Sequence, residues 1–177
     1  MDVYIDVEES GRISGYALSP FSEDCVKVEM EEGDPFFTSF GLYAYVDGEV
    51  VKDISFVLSD KKREKDRELN EACKRCISEG FTHMIDGVEY HFSFDTEAQL
   101  NFQGAIFLFA ENKVDEIMWT VRRGEVYERI PITKGVMDEL ALVILQHKDT
   151  NIRKYRDTLL PLLNEATTFE EVDSIKW

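Results

Sequence analysis

Asp86-Gly87 constrains this chain more tightly than any other pair of residues. Both positions tolerate positive φ, and they separate two short runs, FTHMI and VEYHF. This is the signature of a two-residue type I′ turn, whose twist matches that of the strands it joins. The turn sets the register. Ile85 faces Val88, His83 faces Tyr90 and Phe81 faces Phe92, so these side chains share one largely apolar face. Thr82, Met84, Glu89 and His91 fall on the other, as expected of a half-buried antiparallel ribbon.

The residues on either side extend this frame. Gly80 supplies a left-handed stop for a preceding helix, in which Leu69, Ala72, Cys73, Cys76 and Ile77 recur at helical spacing. Ser59 or Asp60 is the expected cap of that helix, and its first half is charged enough to act as a solvated linker. After the hairpin, Asp95 offers an N-cap oxygen. Ala98, Phe102, Ala105, Ile106 and Phe109 then form one apolar stripe. Leu100 and Phe107 widen it, which predicts a helix buried on more than one side.

Upstream, Met1 to Phe56 reads as strands and turns. Val3, Ile5 and Val7 alternate with polar residues, Ser10-Gly11 turns the chain, and Cys25 to Met30 alternates again. Asp47-Gly48 is a second type I′ signal. Together these predict a small antiparallel sheet. Phe36, Phe37, Phe40, Tyr43 and Tyr45 cluster between them, either as the core of that sheet or as a partner surface. Downstream, IMWTV and VYERI form another hairpin, with Trp119 as its large anchor. Thr133 is expected to cap a helix to about Gln146, and Thr150 or Asn151 to begin another. Pro161 should kink or restart that helix. Thr168 to Glu171, TFEE, reads as a capping box before a last short helix. The expected architecture is α+β: an antiparallel β module over residues 1–58, then a helix-rich module over 59–177 with two β-hairpins.

Charge narrows the partner classes. The chain of 177 residues has a formal net charge of −16. Ten acidic residues against Arg12 and Lys27 give Met1–Asp34 a net −8, half of that total. A polyanion repels phosphates, so neither nucleic acid nor anionic membrane is an expected partner. No apolar run is long enough to span a bilayer, and the first residues lack the pattern of a secretory signal. The expected setting is a soluble protein made in the cytoplasm.

Cys73-x-x-Cys76 is the one motif that suggests chemistry. A redox pair needs the N-terminal end of a helix, where the dipole lowers a thiol pKa, but this pair falls in the last turns. Zinc could draw on His83 and His91, or on one of them with Cys25. The hairpin register points the two histidines to opposite faces, which works against a single tetrahedron. Odd in number, the three cysteines suit a reducing compartment. Asp95 with Glu97 and Glu170 with Glu171 belong to helix starts, where capping accounts for them. His83 reads as a core histidine, and His147 as one near a helix C-terminus. There is no nucleophile elbow and no phosphate loop. No catalytic, cofactor or metal residue is therefore assigned.

The pattern Gly11-Arg12-Ile13-Ser14-Gly15-Tyr16, then Phe36-Phe37-x-x-Phe40 and Tyr43-x-Tyr45-Val46-Asp47-Gly48, resembles small proteins and tail-fibre modules from tail gene clusters of phages of Gram-positive bacteria. Cys76-Ile77-x-x-Gly80-Phe81, the run Asp95 to Asn101, and Asn164 to Val172 resemble phage domains of unknown function found beside them. The resemblance implies a non-enzymatic structural or accessory protein of a bacteriophage tail or baseplate, acting in assembly or host adsorption. Its partners would be tail or baseplate proteins, and its location the host cytoplasm and then the virion. The alternative is an acidic inhibitor of a host protein, of the DNA-mimic type. Oligomeric state stays open, with a monomer as the default.

Overall fold

A computed structural model describes all 177 residues. The chain begins with strands β1 (Asp2–Val7), β2 (Ile13–Ala17) and β3 (Val26–Glu29), followed by a short helix α1 (Phe36–Ser39) and strands β4 (Tyr43–Val46) and β5 (Glu49–Lys52). A long helix α2 (Ser55–Glu79) leads to β6 (Phe81–Ile85), β7 (Val88–Phe92) and α3 (Thr96–Ala110). Then come β8 (Glu116–Arg123), β9 (Val126–Thr133), α4 (Lys134–Arg153), a π-helical stretch Lys154–Leu159, α5 (Leu160–Glu165) and α6 (Phe169–Ser174). The fold is mixed α and β as the sequence predicts: antiparallel sheets first, then a helix-rich region with a further sheet.

The chain divides into two compact units, Met1–Lys65 with Ala166–Ser174, and Asp66–Glu165 with Ile175–Trp177. The division falls inside α2, and a segment distant in sequence, Ala166–Ser174, belongs to the first unit.

In the first unit the predicted small sheet is two. β2-β1-β3 forms one, β4-β5 the other, and a single bridge between Arg12 and Ala44 links them. The bridge is local because Gly11, at φ +85°, turns its carbonyl to the Tyr45 amide at 2.9 Å. Val3, Ile5, Ile13 and Phe36 are the buried core. Asp47 and Gly48 take φ of 51° and 93°, as the type I′ turn requires. α6 is started by the predicted capping box. The Glu171 amide donates to Thr168 Oγ1 at 3.2 Å, and Glu171 Oε2 accepts from the amides of Thr167 and Thr168 at 2.6 and 3.1 Å. Those donors, Thr167 first, hold the Glu171 carboxyl below its ordinary range.

In the second unit the two predicted hairpins merge into one antiparallel sheet, β6-β7-β8-β9. The first hairpin keeps the expected register, Phe81 opposite Phe92 and Ile85 opposite Val88. Asp86 and Gly87 have φ of 50° and 81°. Pro131 lies in β9, an edge strand, where its missing amide costs no ladder bond. Phe102 of α3 packs on Trp119 with ring centroids 4.4 Å apart. Met137 and Leu140 of α4 complete this core, with Val136, Val143 and Ile144 partly buried around it.

Two expectations about helices need correction. α2 starts at Ser55, ahead of Ser59 and Asp60, because Asp53 Oδ1 accepts from the Ser55 amide at 2.7 Å. α4 does not end near Gln146, and neither Thr150 nor Asn151 starts a helix. Asn151 instead bonds back along the same helix, its Nδ2 donating to the His147 carbonyl at 2.8 Å. The Pro161 expectation holds in its second form: after a π-helical stretch the α-helix restarts at Leu160, one residue before the proline. The π-helical stretch before it loosens the turn and accommodates the ring and the missing amide.

Gly80 joins α2 to β6 at φ +94°, and a Cβ there would lie 2.0 Å from the Phe92 carbonyl oxygen. Gly80→Ala therefore combines left-handed strain with a clash against backbone, and is expected to cost about 3 kcal/mol. Urea denaturation would measure it, and a loss under about 1 kcal/mol would show that strand β7 can retreat. The Glu171 contacts predict a pH dependence. With a depressed folded pKa, their stabilisation is present above the ordinary glutamate value of about 4.3 and fades as pH falls through the lower folded value. Wild type should exceed Glu171→Ala in thermal stability at pH 7, with the gap closing in acid.

Candidate partner-binding surface

Several of the titratable groups singled out in the sequence hold structure together. Cys73 is buried, its Sγ 3.5 Å from the Asn151 carbonyl, and burial first of all pushes its thiol pKa up. Cys76 is half-buried nearby in α2, while Cys25 belongs to the other unit, its Sγ 3.1 Å from the Ser22 carbonyl. His83 Nε2 is 3.3 Å from Glu139 Oε2, and His91 stands opposite Thr82 on the other face of the hairpin. No group of three or more His, Cys, Asp or Glu side chains is placed to hold a metal ion.

His147 sits within α4 rather than near its end. Its Nε2 lies 3.1 Å from the Ile77 carbonyl, in the last turn of α2, with the ring against Phe81 and Phe94. It thus serves a helix C-terminus, though of a different helix from the one expected. Asp66 plays a similar joining role. Its Oδ1 accepts from the Tyr155 hydroxyl at 2.6 Å, and burial and then this bond raise the tyrosine pKa.

The aromatic cluster of the first unit centres on Phe36, which meets Phe37, Phe40 and Tyr43 and also Tyr16, a member outside the expected set. Phe36, Phe37 and Phe40 lie edge-on to the Tyr16 ring at 5.3 to 5.7 Å, and the Tyr16 hydroxyl donates to the Phe37 carbonyl at 3.0 Å. Phe36 is fully buried and offers no surface. Phe37, Phe40, Tyr43 and Tyr45 are partly buried against the same core.

Exposed apolar side chains occur on both units, and those of α3 in the second unit include two residues expected to be buried. α3 is buried on one side only. Phe102, Ala105 and Phe109 face inward, whereas Leu100 and Phe107 are 64% and 63% exposed. The reason is angular: at about 100° per residue, Leu100 and Phe107 stand roughly 150° round the helix from Phe102. Leu108 and, on the sheet, Met118 and Tyr127 are also exposed.

Between α3 and β8 runs a groove of about 590 Å³. One wall is α3, where Ala98, Gly104 and Ala105 keep it low, and the other is the continuous run Ile117 to Arg122. Asp95 and Glu97 of the α3 start lie along it, as does Arg122. Asp95 is held in place by its cap, Oδ1 accepting from the Ala98 amide at 2.9 Å. Groove size is within the range of ligand sites, and its lining is part apolar and part charged.

The comparison with known families bears on residues 60–176, which match the model of a domain of unknown function, DUF4376. The chain belongs to that family. No curated protein and no solved structure matches it. The family domain contains α3, β8 and the whole groove.

The one-sided burial of α3 predicts a contrast between two phenylalanines five residues apart. Phe102→Ala should cost about 3–5 kcal/mol, while Phe107→Glu should change stability by no more than about 0.5 kcal/mol. Paired denaturation curves test this; comparable losses would mean that Phe107 is covered.

Proposed function

We propose that this member of the DUF4376 family is a non-enzymatic structural or accessory protein of a tailed phage, docking on a tail or baseplate component. The observation that carries the docking is the exposed apolar flank of α3, Leu100, Phe107 and Leu108, beside an open groove. Contiguous apolar surface of this kind is kept on soluble proteins chiefly where a partner covers it. The phage assignment leans on the resemblance of the N-terminal pattern and of the Asp95–Asn101 and Asn164–Val172 runs to tail-cluster proteins. The non-enzymatic reading is supported by what the polar side chains do: His147, Asp66, Asp95 and Glu171 each serve a helix end or a joint between elements. The charge of −16 favours protein partners over nucleic acid or anionic lipid, and no helix is long and apolar enough to cross a membrane.

Mass spectrometry of purified particles of the parent phage, together with binding of the chain to isolated tail and baseplate proteins, tests the proposal. The expected result is retention of one such component that survives about 1 M salt, because an apolar contact is not screened. Absence from particles together with no affinity for any tail protein would overturn it. Salt-sensitive binding to a host DNA-binding enzyme would favour the inhibitor reading instead.

A further inference from the structure

The hydrogen-bonding pattern of β8 says more about what the groove receives. Gly124-Glu125 is a two-residue turn, so Arg123 and Val126 beside it exchange ladder bonds. Alternation then assigns the remaining residues. Val121, Trp119 and Ile117 bond to β9, while Arg122, Thr120 and Met118 turn their N–H and C=O groups the other way. Pro131 stands opposite Met118, a position where β9 has no amide to give, which fits this phase.

On that other side, β7 meets β8 at His91 opposite Arg122 and then ends at Phe92. The chain leaves through Ser93 to the α3 cap, and no strand lies beside Thr120 and Met118. Among these groups the Met118 carbonyl accepts from the Arg129 guanidinium at 3.3 Å. The groove is therefore a slot with a strand edge along one wall, unpaired by any strand and with only its Met118 carbonyl engaged by a side chain, and a helix along the other. Unpaired backbone groups at a sheet edge are a template for another strand.

We infer that the slot takes an extended peptide segment of a partner protein, which adds to the sheet beside β8 under α3. This rests on the docking reading above and names the form of the partner. Charge and connectivity set its chemistry. α3 ends at Ala110 and β8 starts at Glu116, so Leu108 lies at the Ile117 end and the α3 start at the Arg122 end. Asp95 and Glu97 outweigh Arg122 there, which suits a basic residue; Leu108, Ile117 and Met118 at the opposite end suit apolar ones. An antiparallel strand would enter with its basic residue first and its apolar residues after. Main-chain bonds then supply affinity and the two ends supply specificity.

The test uses the full chain and a synthetic nine-residue peptide of alternating apolar and polar residues with a lysine at its start. Two controls accompany it, one with alternate backbone amides N-methylated and one with glutamate in place of the lysine. Amide shifts in the nitrogen-15 spectrum should centre on Ile117–Arg122, and N-methylation should weaken binding at least about tenfold. Glutamate should weaken it severalfold. Asn101→Trp, at an exposed groove position, should block the slot. Gly104→Leu should do the same without loss of fold, since a Cβ added there meets no atom within 4 Å and a helical glycine is replaced by a better helix former. No binding, shifts centred elsewhere, or equal binding by the N-methylated peptide would overturn the inference. The two readings can fail separately. Tail-protein binding unaffected by both groove variants would remove the slot and leave the function. Peptide binding without any tail partner would do the reverse.

Discussion

The Phe102 ring is where the layers of the second unit meet. It lies 6.1 Å from Phe81, 6.3 Å from Phe92, 5.9 Å from Phe94 and 4.4 Å from Trp119, so one side chain of α3 touches three strands and the loop that precedes the helix. This anchor sits in the first half of α3, close to the Asp95 cap. A helix pinned there must follow the line from β7 to β8, and its outer flank cannot reach a second layer. Leu100 and Phe107 are exposed as a consequence of where the anchor lies. The groove arises in the same way, because β7 stops at Phe92 while β8 runs on toward Glu116.

Gly80 protects that arrangement from the other direction. The end of α2 comes so close to the Phe92 carbonyl that no side chain fits. This close approach ties the helix terminus to the last residue of β7, and the His147 contact with the Ile77 carbonyl ties the same terminus to α4. Three elements thus converge within a few residues. Cys73 and His147, which could suggest reactivity in another setting, are occupied by carbonyl contacts here, and the burial that raises the Cys73 pKa works against a thiolate.

Local signals were legible in the sequence, and global ones much less so. The turns at Asp47-Gly48 and Asp86-Gly87, the Asp95 cap and the TFEE capping box all act over four residues or fewer. Their outcome is decided by backbone geometry that those residues carry themselves. Each stands in the structure as written. Apart from the start of α2, which Asp53 sets two residues away, errors came where distant residues decide. Leu100 and Phe107 are as apolar as Phe102, and only the number of layers around α3 tells them apart. Asn151 carries a capping residue's chemistry, yet packing keeps α4 helical and its side chain bonds inward. The merging of two hairpins into one sheet and the placement of Ala166–Ser174 with the first unit are likewise long-range results that no local pattern encodes. The groove had one legible trace: Ala98, Gly104 and Ala105 are small residues on one flank of a helix otherwise rich in bulky ones.

An open strand edge is ordinarily a route to aggregation, and the way this chain restrains it bears on what it admits. The edge at Met118 and Thr120 lies along an open groove whose other wall is α3. The α3 wall is the first restraint, because it stands where a neighbouring sheet would have to pack. Long-range repulsion adds a second filter, since a chain with a charge of −16 repels its own copies. The helix wall disfavours sheets, and charge disfavours acidic chains of any shape. The narrow, extended and locally basic segment inferred above is compatible with both restraints, so keeping the edge from pairing with itself need not close it to such a partner.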